Sequence, residues 1–267
     1  MTAPGSDRWS SGSAYESYIG RWSRVVAPVF LDWLAIPPGR RWLDTGCGTG
    51  ALTAAILARC EPRFVVGVDP SESFVAHART TVVDARVTFE VGTAAEAGLD
   101  DGGVNVVVSA LVLNFVPDLN AALAEARRVL SPGGVVAGYV WDYAEGMQLL
   151  RRFWDAAVVV DPAAQALDEA VRFRIAAPQP LAEAFTAAGL SAVEVRPIEI
   201  PTVFANFDDL WKPFLAGTGP ASAFAAALAE PARSALRERL RSSVEAEPDG
   251  SIRLVARAWA VRGQSVS

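Results

Sequence analysis

The 267-residue chain has a single histidine, His77, two cysteines, Cys47 and Cys60, and a single lysine, Lys212. One imidazole excludes a histidine-rich metal centre, and neither cysteine has a second Cys or His at ligand spacing, so no metal is expected. Two thiols thirteen residues apart build no disulfide framework. Basic residues number 24 against 30 acidic ones, a net charge of −6, which is the wrong sign for a chain whose main partner is a phosphate backbone. No nucleic-acid partner is expected. Uninterrupted apolar runs of membrane-spanning length are missing; stretches such as Val135–Val140 have strand length, so no membrane partner is expected either. The first twenty residues lack the basic start and apolar core of a secretory signal, which leaves a cytoplasmic protein, monomer or homodimer, as the expectation.

What is present is apolar material. Half of the residues (51 %) are hydrophobic and only 20 % are charged, enough for a large core and too apolar for global disorder. Residues 1–13 are small and polar and read as a loose tail, and 14–267 as a single domain. Ala14–Ala35 carries aromatic and aliphatic residues at helical spacing and ends at Pro37-Pro38-Gly39. Beyond it the period switches repeatedly. Strands are expected at Arg41–Asp44, Arg63–Val68, Val87–Val91, Val104–Ser109 and Val135–Trp141. Helices are expected at Gly50–Arg59, at Ser71–Arg79 with Ser71 as N-cap, and at Asp118–Leu130, closed by Ser131-Pro132-Gly133-Gly134. Strands without polar alternation, alternating with helices, indicate an α/β parallel sheet buried on both faces. After Asp142 the rhythm loosens. Helical insertions at about 145–176 (Met147–Val158 and Ala164–Phe173) and 202–245 read as a cap or lid, with a helix at Leu181–Ala188 and two late strands at Ala192–Ile200 and Ile252–Val261.

The stretch that carries chemistry is Asp44-Thr45-Gly46-Cys47-Gly48-Thr49-Gly50, directly after the first strand and opening a helix. Glycines there allow a tight turn and close approach to a ligand, and the helix N-terminus offers free N–H groups. Asp69 ends the second strand about 20 residues on, where nucleoside-binding sheets grip ribose hydroxyls. A plain tight βα connection is the alternative. The dinucleotide fingerprint G-x-G-x-x-G is not what stands here; the pattern is D-x-G-x-G-x-G. This counts against a nicotinamide-dependent oxidoreductase, as does the absence of a Tyr-x-x-x-Lys motif.

The pattern resembles motif I of the class I S-adenosylmethionine-dependent methyltransferases. The likeness continues through Val65–Asp69 with Pro70-Ser71, Val91-Gly92-Thr93-Ala94, Asn105–Ser109 with Leu111–Asp118, and Leu130–Gly134. It covers about residues 15–141 closely and 178–261 loosely, and is nearest to the small-molecule, ubiquinone/menaquinone-type branch. The resemblance implies a Rossmann-like seven-stranded sheet of order 3-2-1-4-5-7-6, strand 7 antiparallel, with helices on both faces. It implies S-adenosylmethionine as cofactor and methyl transfer to a small organic acceptor. Asp44 would face the methionine ammonium, Gly46, Cys47 and Gly48 would line the nucleoside, and Asp69 with Pro70 would hold the ribose. Thr93, Ala94, Ser109 and Leu111 would complete the cofactor site, with Tyr18 or Arg21 reaching the methionine carboxylate, unless their helix only packs on the core. Thr93 departs from the Asp common at that place, and Asn114 stands where many relatives have His. A non-catalytic S-adenosylmethionine-binding protein is therefore a further alternative.

Asn114, Trp141, Tyr143 and Trp211 are the candidate acceptor-site residues, because strand C-terminal edges bind ligands in open α/β sheets and the insertions are rich in aromatics. Those aromatics favour an apolar or aromatic acceptor if they line a pocket, and only bury the added helices if they do not. The sulfonium is already activated, so catalysis needs chiefly an in-line arrangement. If a general base is used, Asp142 is the candidate; the alternative for Asp142 is a loop acid or helix cap. His77 reads as a solvated or core-edge residue and Cys47 as a small space-filler. Arg127, Arg128, Arg151 and Arg152 read as solvated helix faces.

Overall fold

A computed structural model describes residues 21–215 and 219–266. The residues fall into two compact units. One holds 23–141, 175–198 and 258–266; the other holds Arg21 and Trp22 with the described parts of 142–174 and 199–257. The expected tail, 1–13, and Tyr18 lie outside the described residues.

The first unit contains the sheet. Its strands are β1 (Arg41–Thr45), β2 (Phe64–Asp69), β3 (Val87–Val91), β4 (Val104–Ala110) and β5 (Leu130–Trp141), joined by parts of the long strands β6 (Leu190–Phe204) and β7 (Ile252–Ser265). The strand order is β3-β2-β1-β4-β5-β7-β6. Strands β1 to β5 pair in parallel and β7 runs antiparallel to β5, from Val135↔Gln264 to Trp141↔Ala258. This is the expected topology. Val65, Val68, Val104, Val108 and Val140 are fully buried, the reason these strands carry no polar alternation.

Helices α1 (Arg21–Leu34), α2 (Ala51–Arg59), α3 (Glu72–Thr81), α4 (Leu119–Val129) and α7 (Pro178–Ala187) accompany the sheet. Ser71 caps α3 by accepting from the Phe74 amide, and Asp118 caps α4 by accepting from Ala121. Phe30 on α1 packs against Tyr139 on β5 at 4.7 Å between ring centroids. The expected turn Ser131–Gly134 proved to lie inside β5, where Leu130 pairs with Val104 before the register shifts by a bulge and Gly133 takes φ +72°. The glycines supply the local kink without ending the strand.

The second unit is largely helical: α5 (Gln148–Val160), α6 (Glu169–Arg172), α8 (Phe207–Trp211), α9 (Pro220–Ala227) and α10 (Glu230–Ser242). The expected helix Ala164–Phe173 is broken. Residues Pro162–Leu167 form a 3₁₀ turn and α6 is a separate short helix, because the Asp168 carboxylate accepts from Ala170 N and restarts the chain. The same carboxylate receives two guanidinium hydrogen bonds from Arg151 at 3.1 and 2.5 Å. Arg151 is therefore a pin of this unit and not a solvated helix face, and Arg152, which donates to the Ser243 carbonyl, is another. Arg127 and Arg128 likewise anchor neighbouring loops, at the carbonyls of Ala188 and Leu99.

Candidate active site

The loop after β1 is built on β2. The amides of Gly46 and Cys47 both donate to the Val68 carbonyl, at 2.7 and 3.0 Å. Gly48 N then donates to Oδ2 of Asp69 at 3.0 Å, while Oδ1 of Asp69 accepts from Ser71 N at 2.9 Å. Asp69 thus ties the glycine loop to the start of α3. Each of its oxygens keeps a second acceptor position. Burial raises its pKa above the ordinary carboxylate value, with the two backbone amides opposing.

Two glycines in this loop have different reasons to be glycine. At Gly46 (φ +70°) a Cβ would come within 2.6 Å of the Val112 side chain, so the position is closed by the protein itself. At Gly48 (φ +53°) a Cβ would meet nothing within 4 Å. Open space in front of a bent glycine backbone is the cradle a nucleoside needs. Cys47 has the role of a small core residue, packed with Val75, Ala78 and Phe89. Burial and the two nearby acids push its thiol far above its ordinary pKa, which leaves it inert.

Asp44, at the end of β1, is completely buried. Thr53 on α2 donates its hydroxyl to Oδ2 at 2.7 Å, and Oδ1 has no hydrogen-bond partner among the described residues. Desolvation raises the Asp44 pKa to about 7, and the Asp69 charge adds to it. A buried carboxylate oxygen without a donor costs free energy until something donates to it. Partnerless buried polar atoms recur at the C-terminal side of β4 and β5: the Ser109 hydroxyl, both amide atoms of Asn114 and the Trp141 indole N–H. Asn114 sits in a 3₁₀ turn, Leu113–Phe115, after Leu111. Leu111 itself is held at φ +61° by its amide donating to the Tyr139 carbonyl at 2.7 Å. For a leucine that conformation costs on the order of 1 kcal/mol, and such strain persists where the surroundings impose it. The orphaned Asp44 oxygen and Ser109 hydroxyl, with the open cradle at Gly48, fit a nucleoside-linked amino acid with an ammonium to donate and polar groups to pair.

Of the expected cofactor residues, Asp44, Gly46, Cys47, Gly48, Asp69, Pro70, Thr93, Ala94, Ser109 and Leu111 all belong to the sheet unit. Thr93 is exposed, and its amide and carbonyl pair with Glu96. Arg21, Asp142, Tyr143 and Trp211 belong to the other unit. There Arg21 lies between the Trp22 and Phe204 rings at 4.5 and 4.7 Å and donates to Asp209 at 3.3 Å. Asp142 is engaged on both oxygens. Oδ2 receives Arg257 at 2.6 Å, and Oδ1 accepts from Glu145 N at 3.1 Å. This is the geometry of the loop acid, with both carboxylate oxygens engaged inside its own unit. Trp211 and Tyr143 are buried. Phe153 stacks on Phe214 at 4.3 Å, Trp154 meets Phe224 at 5.8 Å, and Tyr143 meets Phe173 at 5.5 Å, so these aromatics make the core of their own unit. Thr53 was absent from the expected site; a threonine on the inner face of a helix carries no sequence signal of its own. Among the described residues no group of three or more His, Cys, Asp or Glu side chains could hold a metal ion, and no helix is long and apolar enough to cross a membrane.

Residues 43–138 match the model of the methyltransferase domain family. The match places a methyltransferase domain at residues 43–138. The chain is 31 % identical over 180 residues to a 2-methyl-6-phytyl-1,4-hydroquinone methyltransferase of Synechocystis sp., a match covering 66 % of this chain and 55 % of that protein. It is 34 % identical over 115 residues to a ubiquinone/menaquinone biosynthesis C-methyltransferase of Dinoroseobacter shibae, covering 42 % of this chain and 46 % of that one. The chain spans about half the length of these curated relatives. Among solved structures, a phosphoethanolamine N-methyltransferase of Haemonchus contortus in complex with S-adenosyl-L-methionine superposes with a TM-score of 0.60 at 18 % identity, over 96 % of this chain and 57 % of that one, a likeness of fold. S-adenosylmethionine is the cofactor of this family, and the nicotinamide alternative loses its basis.

Proposed function

We propose that the protein transfers a methyl group from S-adenosylmethionine to a small, largely apolar or aromatic organic acceptor. The observation that carries this reading is the open cradle at Gly48 flanked by Asp69 and by the partnerless Oδ1 of Asp44. When bound, the cofactor supplies a methyl group on a sulfonium, an electrophile that needs no further activation. The residues of this chain would then bind and orient. Asp69 accepts from the ribose hydroxyls with its free acceptor positions, and Asp44 accepts from the ammonium. The open space at Gly48 would leave room for the nucleoside, and Ala94 and Thr93 would be the residues beside the adenine.

For the acceptor, Asn114 and Trp141 are the residues we assign. Asn114 offers a donor and an acceptor with no partner among the described residues, which suits a hydroxyl that both gives and takes a hydrogen bond, as on a phenol or hydroquinone. The quinol named for the Synechocystis relative is of that chemistry. Rate enhancement comes from alignment of nucleophile, methyl and sulfur, with no base required of Asp142. The test is turnover of methyl-labelled S-adenosylmethionine on a panel of hydroquinones, phenols and aliphatic dicarboxylates. Transfer to a hydroquinone or phenol supports the reading. Binding of S-adenosylhomocysteine without transfer to any member supports a non-catalytic role.

A further inference from the structure

We propose that Thr53 is a positioning residue of the cofactor site, its hydroxyl holding Asp44 as the carboxylate that receives the cofactor ammonium. This rests on the cofactor reading above. Asp44 is sealed from solvent, and among the described residues it is Thr53 that donates to it, chiefly through its hydroxyl at 2.7 Å on Oδ2 and also through its backbone amide, which a substitution at Thr53 leaves in place. That bond holds the carboxylate by Oδ2 and leaves Oδ1 without a partner among the described residues. The groups facing Asp44 do not help it ionise. Val108 on β4 and Gly67 on β2 are its register neighbours, and the Asp69 carboxylate at the end of β2 acts against its charge. The Cys47 thiol in the loop stays neutral. No basic side chain enters the balance among the described residues; after burial, the Thr53 hydroxyl is the largest influence and the chief one favouring the carboxylate. An ammonium needs that carboxylate. Binding should therefore weaken as pH falls through the Asp44 pKa of about 7, and the hydroxyl sets where that happens.

The test is calorimetric titration of S-adenosylhomocysteine, which carries the same ammonium, from pH 6 to 8.5 on wild type, Thr53→Val, Thr53→Ser and Asp44→Asn. Valine keeps the shape and removes the donor. The wild type should lose affinity below pH 7. In Thr53→Val the midpoint should move up by about one pH unit, giving roughly fivefold weaker binding at pH 7 and convergence with wild type towards pH 8.5. Thr53→Ser should restore the wild-type profile, and Asp44→Asn should bind weakly with no pH dependence. A loss in Thr53→Val that is equal at every pH overturns the proposal, since a merely structural threonine would act that way. A wild-type affinity that does not change with pH overturns it too, even if Thr53→Val fails to fold. No binding by the wild type at any pH instead overturns the cofactor reading itself.

Discussion

Replacing Asp69 by alanine removes two distinct sets of contacts, and the structure allows them to be weighed separately. Inside the protein, Gly48 N and Ser71 N lose their acceptor at 3.0 and 2.9 Å. Both amides lie at the edge of a cradle that water can enter, so the folding cost should stay near the lower end of the range for an unsatisfied donor, about 1 kcal/mol each. At this chain length that lowers the melting temperature by about 2–4 °C per kcal/mol. For the cofactor, two hydroxyls lose a charged acceptor, worth about 1.5–3 kcal/mol, or roughly 10- to 100-fold in affinity. The loosened Gly48 backbone adds to this. The assay is titration of S-adenosylhomocysteine into folded variant at pH 8, with thermal melting of the same sample. Asp69→Asn should sit between, because its amide keeps one acceptor and presents a donor to the other amide. A folded Asp69→Ala variant with wild-type affinity would refute the ribose assignment.

Gly48→Val should fold with a modest penalty, about 1–2 kcal/mol for a left-handed β-branched residue, yet lose most cofactor affinity, whereas Gly46→Ala should fail chiefly in stability because its Cβ meets Val112; melting and titration side by side check the contrast. Asp142→Asn should cost about 1.5–3 kcal/mol by removing one charge-assisted partner of Arg257, which keeps Glu145 at 3.1 Å, with methyl transfer per folded molecule retained, and loss of turnover in a stable variant would return Asp142 to the reaction. Trp211→Ala, in a buried aromatic cluster, should cost about 3–5 kcal/mol in melting experiments and leave S-adenosylhomocysteine affinity in place. Asp44 has a folded pKa raised to about 7 from an unfolded value of 3.8, so the native state binds the extra proton between these values and cofactor-free stability falls as pH rises from 4 to 7. The slope should approach 1.4 kcal/mol per pH unit at most, and denaturant unfolding of Asp44→Asn should lack that component.

The sheet was legible in the sequence because its signals are local. Val87–Val91, Ser71 as a cap and the glycine loop after Trp42-Leu43 each depend on neighbours within a few positions, and five strands with helices after all but the third leave few topologies once crossovers must be right-handed. Asp44, Gly48 and Asp69 were found for the same reason: the spacing of a strand, a turn and the next strand puts them at one edge. What needed the tertiary structure was every role set by a partner far along the chain. Asp142 reads equally as a base or a loop acid until Arg257, 115 positions away, is seen to hold it. Trp154 and Phe214 read as lid or core until their rings are found against Phe224 and Phe153. Arg151 looks solvated until Asp168 takes it, and the same Asp168 breaks a helix that periodicity alone extends. Thr53 is an ordinary helical residue until Asp44 is placed beneath its hydroxyl. Propensity and spacing act over a turn or a strand, while charge pairing, burial and hydrogen bonding choose among distant groups only when the chain has brought them together.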